Sequence, residues 1–118
     1  MICTDDPLET AKRYERFTGK TAEADGDGFI IALDRGEIAI CAPGKCAVLL
    51  PGIEIPDLPF IAAVSVMSND IATTRAYVGG HGVTLVLDRP DCLVTDATDG
   101  MGASLVFHAA EKRPFTQP

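Results

Sequence analysis

The chain has 118 residues, 47% of them apolar and 23% charged, and carries a net charge of −7 from ten basic and seventeen acidic side chains. That length and composition fit one domain with a real core and exclude wholesale disorder. The acidic balance argues against a nucleic-acid binder, which needs clustered cations to neutralise phosphates, and no apolar run approaches the roughly 20 residues of a membrane span.

Met1-Ile2-Cys3-Thr4 reads as a short strand. Asp5-Asp6 follows without the basic start and long apolar run of a secretory leader, which predicts a cytoplasmic protein; a fragment of a longer chain would read the same way. Asp6 can cap a helix whose first residue is Pro7 and whose first turn holds Glu9. Leu8, Ala11, Tyr14 and Phe17 draw an apolar stripe along it, and Gly19 ends it in the left-handed conformation. Thr21–Ala24, Phe29–Leu33 and Glu37–Cys41 read as strands, separated by turns at Asp25-Gly26-Asp27-Gly28 and Asp34-Arg35-Gly36. The first turn lacks the further acidic ligands of a calcium loop. Residues 43–58, with Pro43, Gly44, Pro51, Gly52 and Pro56, form a linker in which Lys45–Leu50 makes one helical turn.

The second half opens with the apolar strand Phe60–Met67. A helix follows from the cap Asp70 to Val78, then a glycine-rich turn around His81, and strands at Val83–Leu87, Cys92–Thr95 and Ala103–His108. Residues 111–118 are a polar, frayed tail. Asp6 and Asp70, Tyr14 and Tyr77, Gly19 and Gly82, and Ile38-Ala39-Ile40 and Leu105-Val106-Phe107 repeat at offsets of about 63 to 67 residues. The chain therefore reads as an α+β protein made of one βαβββ unit used twice: residues 1–42, a linker at 43–58, residues 59–110, and the tail. The four cysteines, Cys3, Cys41, Cys46 and Cys92, lack the spacing of a zinc site and read as buried reduced thiols.

The order of these motifs resembles the vicinal oxygen chelate superfamily of glyoxalases, dioxygenases and bleomycin-resistance proteins. The matching residues are Asp6-Pro7-Leu8-Glu9-Thr10-Ala11 before Tyr14 and Gly19, Asn69-Asp70 through Tyr77 before Gly82-Val83, and Asp99-Gly100-Met101-Gly102 before the last strand. The closest branch is the glyoxalase-like domains of mostly uncharacterised bacterial proteins. The resemblance implies a curled mixed sheet with helices on its convex face and a small-molecule site in the concave cup. Metal-using members place ligands on the first and last strands of each unit. The corresponding positions here are Ala63, Val106 and Ala39, with the fourth at or before Met1. Alanine and valine supply no donor atoms.

Strand alternation sorts the remaining candidates. Phe60, Ala62, Val64 and Val66 are expected on the helices, as are Leu105 and Phe107. The ligand-binding cup is then lined by Glu37, Cys41, Ile61, Ser65, Met67, Ser104 and His108, with no metal or other cofactor; a displaced metal site of Glu37, Cys41 and His108 is the alternative arrangement. Ser65 and Ser104 lack a nucleophile elbow, no glycine-rich phosphate loop precedes a helix, and His81, Asp91, Asp96 and Asp99 read as loop residues. Tyr14 and Tyr77 read as half-buried packing residues. The expected function is metal-free binding of a small organic ligand. The alternatives are a metal-dependent lyase, isomerase or dioxygenase of the glyoxalase type, and a non-catalytic module of a longer chain. The stubby first strand leaves an edge that invites pairing, so a homodimer or a missing upstream segment is expected, and neither nucleic acid nor membrane is a partner.

Overall fold

The computed structural model of the protein describes residues 1–110 and 113–115. Its elements run β1 (Ile2–Cys3), α1 (Pro7–Thr18), β2 (Ala22–Asp25), β3 (Gly28–Ala32), β4 (Glu37–Cys41), α2 (Pro43–Leu49), β5 (Phe60–Ile61), β6 (Ala63–Met67), α3 (Ile71–Gly80), β7 (Leu85–Arg89), β8 (Cys92–Thr95), a 3-10 turn (Ala97–Gly100) and β9 (Ser104–His108).

The helix signals act as read. Asp6 Oδ1 accepts the Glu9 N–H at 3.1 Å, Pro7 opens the first turn, and Gly19 closes the helix at φ 69°. Asp70 caps α3 the same way, accepting from the Thr73 N–H and hydroxyl; those two bonds hold its carboxyl below the usual aspartate range. Since Asp6 satisfies an otherwise orphaned N–H, Asp6→Ala should cost about 1 kcal/mol in a urea melt; a loss near zero would mean solvent caps α1 equally well.

The stripe of α1 is rotated from the expected one. Thr10 and Ala11 are buried and Tyr14 half-buried, whereas Leu8 and Phe17 stand exposed, Phe17 by 78%. Thr10 belongs inside because its hydroxyl bonds that of Thr4 at 3.0 Å, leaving neither polar group unpaired in the core.

The strands form sheets ordered β2-β3-β4-β1-β5 and β6-β9-β8-β7. Each half thus has the same plan: its first strand lies parallel to its last, Ile2 beside Ile40 and Met67 beside His108, and the middle strands follow antiparallel. The seam between the sheets departs from the expectation. Phe60–Met67 is not one strand: it breaks at Ala62, with β5 on β1 and β6 on β9. Ala62 joins the two, since its N–H donates to the Met1 carbonyl at 3.0 Å while its own carbonyl accepts the Ser104 N–H at 2.9 Å.

One face of the first sheet packs on α1 through Ile2, Ala11, Ile31 and Ile40. The other face, with Cys3, Ala39 and Cys41, meets Ala63, Val94 and Val106 of the second sheet in the larger core. The linker contributes more than a turn: α2 spans Pro43–Leu49, and Cys46 and Leu50 close this core from one side. Lys45 of α2 bonds Asp25 at the β2–β3 turn at 2.8 Å, with both side chains largely buried. Two further expectations are corrected on the outer face of the second sheet. α3 lies over β8 and β9, so Val64, Val66 and Leu105 stay about half exposed instead of packing beneath a helix, and Tyr77 projects into solvent.

Part of the predicted tail, residues 111–112 and 116–118, lies outside the described residues. The rest is not frayed. Phe115 is 6% exposed and belongs to the larger core, and Arg113 bonds Glu37 across the molecule.

Candidate functional site

The docked segment Arg113–Phe115 roofs a cleft of about 580 Å³ on the inner face of the curled sheets. β4 supplies Glu37 at its start, β6 supplies Ser65 and Met67, and β9 supplies His108 at its end. Parallel pairing of β6 with β9 sets Ser65 beside Val106 and Met67 beside His108, so alternation carries all four onto one face. The turn before β4 adds Leu33, Arg35 and Gly36.

Four of the seven predicted lining residues therefore meet here: Glu37, Ser65, Met67 and His108. The other three do not. Ile61 is 60% exposed and borders a separate groove with Tyr14 and Phe17, because the break at Ala62 resets the alternation. Cys41 lies on the predicted face but is sealed in the core under α2. Ser104 is buried at the start of β9, in register with Ala63. Sequence reasoning missed Arg35, because it sat in a turn, and Arg113 and Phe115, because they sat in a tail; one aromatic in a polar tail was the available signal.

The polar groups are already partly engaged. Glu37 Oε2 accepts from Arg113 Nη2 at 2.5 Å. His108 Nδ1 bonds the Ala109 carbonyl at 2.9 Å, which places a proton on Nδ1 and leaves Nε2 as the acceptor of the neutral ring. The cleft offers two guanidinium groups, a hydroxyl, a carboxylate and an imidazole beside the apolar Leu33, Met67 and Phe115. Such a mixture suits a small molecule with one polar end and an apolar body.

A metal of the kind the sequence resemblance implies does not fit this donor set. Ala39, Ala63 and Val106 are all buried in the apolar core. The displaced set does not converge: Glu37 is bound to Arg113, His108 to the backbone, and Cys41 is turned into the core. Among the described residues no group of three or more His, Cys, Asp or Glu is arranged to hold an ion, and no buried side-chain polar atom is left without a partner.

No protein-family model and no curated protein matches the sequence. Solved structures do match. Methylmalonyl-CoA epimerase from Mycobacterium tuberculosis superposes with a TM-score of 0.67 at 13% identity over 94% of this chain and 85% of that one. A hypothetical protein from Bacillus halodurans gives 0.66 at 10% identity over 95% and 91%. The chain has the vicinal oxygen chelate fold. The epimerase of Streptomyces coelicolor, solved with 2-nitronate-propionyl-CoA, shares this glyoxalase-like architecture at a TM-score of 0.61 and 14% identity, with 94% of each chain covered. Among the described residues no helix is long and apolar enough to cross a membrane.

Proposed function

We propose that this glyoxalase-like domain binds a small organic molecule in the cleft between Glu37, Ser65, Met67 and His108, without a metal at the positions the sequence resemblance implies. The observation that carries the reading is the pairing of a mixed polar and apolar cleft with hydrocarbon at Ala39, Ala63 and Val106. A volume of about 580 Å³ falls within the range typical of small-ligand sites. The polar groups give orientation, and Met67 and Phe115 give contact area.

A probe such as 8-anilinonaphthalene-1-sulfonate, titrated by fluorescence and mapped by the ¹³C-methyl signal of Met67, tests this. Binding should move that signal, and Met67→Trp, which fills the cleft from its rim, should weaken binding roughly tenfold or more, about 1.4 kcal/mol. Binding that leaves the Met67 methyl unmoved and survives the substitution would place the ligand elsewhere.

The second reading, an isomerase, is favoured by the neighbours that are methylmalonyl-CoA epimerases. It needs a base to lift a proton from carbon, and Glu37 is the carboxylate in the cleft. Arg113 engages its Oε2, so that pair competes with a substrate for the same carboxylate oxygen. Stoichiometric tight binding of a divalent ion by the purified protein, together with epimerase activity, would put this reading first.

A further inference from the structure

All four cysteines are buried, yet three of them are gathered. Cys3 and Cys41 are register partners on adjacent parallel strands and share one face. Cys46 enters the same apolar cluster from α2. Cys41 and Cys46 meet for a reason in helix geometry. Ala42 caps α2 and Pro43 is its first residue, so Cys41 precedes the cap and Cys46 is fourth in the helix. Those two positions face each other across the first turn, where an apolar pair commonly fixes the angle at which a chain enters a helix. Here both members of the pair are thiols.

We propose that Cys41 and Cys46 are a redox pair, in which a peroxide converts this contact into a disulfide that locks α2 to the end of β4. The Cys41 sulfur attacks one oxygen of the peroxide and the O–O bond breaks. Cys41 becomes a sulfenic acid, and the other oxygen leaves as an alcohol, or as water from hydrogen peroxide. The Cys46 sulfur then attacks the sulfenic sulfur, and the hydroxyl departs as water with the second thiol proton. Two electrons pass from the dithiol to the peroxide.

The electrostatics assign the roles. The neighbouring Cys46, against burial and helped by the Lys45 cation, holds the Cys41 thiol below its ordinary range. The same closeness to Cys41, with burial, pushes Cys46 up and keeps it protonated. Cys3 lies in the same core cluster, but burial raises its thiol. Cys3 and Cys41 are further pinned in a strand ladder, whereas Cys46 sits in a seven-residue helix that can shift to bring sulfurs to bonding distance.

The test uses the intact folded protein, reduced, freed of reductant, exposed to hydrogen peroxide, alkylated and digested without reduction. Lys45 lies between the two cysteines, so trypsin leaves two peptides joined only by the new bond. Two of the four thiols should disappear, with a mass loss of about 2 Da reversed by dithiothreitol, and the linked peptides should carry Cys41 and Cys46. Cys46→Ser should instead leave a sulfenic acid on Cys41 that dimedone traps. Survival of all four thiols at a peroxide level that oxidises the same chain in denaturant would overturn the proposal, as would a link through Cys3 or Cys92. Mapping of the unsubstituted protein decides the matter if the variant does not fold.

Discussion

Replacing Phe115 with alanine should destabilise the protein by about 3 kcal/mol, the usual cost of emptying a buried phenylalanine site. The ring is 6% exposed and packs with Ala39, Ala63 and Val106 between the two sheets. It also walls the cleft. The urea midpoint should therefore fall, on the order of 1–2 M for a small domain, and the probe that binds beside Met67 should bind more weakly. Phe17→Ala is the matched control: that ring is 78% exposed, and its loss should stay within about 0.5 kcal/mol. Equal effects from the two substitutions would mean that residues 113–115 do not dock.

Gly28→Ala should be at least as costly, about 3 kcal/mol or more, for a different reason. Gly28 opens β3 with an ordinary negative φ, so conformational freedom is not what the position requires. Space is. A Cβ there would lie 2.2 Å from the carbonyl oxygen of Ile40, a backbone atom in the neighbouring strand that has no rotamer to move into. Relief demands that β4 shift, and β4 carries Glu37 into the cleft and Cys41 into the core. A thermal melt of the variant close to that of the parent would show that the β3–β4 pairing yields more easily than this contact implies.

Sequence alone conveyed a good deal, and the failures have physical causes. Helix caps are local chemistry, so Asp6, Pro7, Gly19 and Asp70 marked their ends correctly. Alternation within one unbroken strand is equally local, which is why Glu37, Ser65, Met67 and His108 were placed together. Alternation has no memory across a break. Ala62 and Ala63 are both fully buried, an inside-inside step that no continuous pleat allows, and every residue before it was assigned to the wrong face. Two adjacent alanines inside a run of large apolar residues were the visible trace. The tail misled for the opposite reason: polar composition predicts solvation, but one ring suffices to anchor a segment when a core has room for it. The helix α1 shows the third limit, because a stripe read from hydrophobicity missed Thr10, whose burial depends on a partner hydroxyl contributed by Thr4.

Ala62 has a consequence for motion. Its amide is spent on one sheet and its carbonyl on the other, so the halves cannot slide apart without rupturing a bond at that residue. The two walls of the trough are mechanically coupled there. Arg113–Phe115, which roofs that trough, is held instead through side chains, among them the Phe115 ring in the core and Arg113 on Glu37.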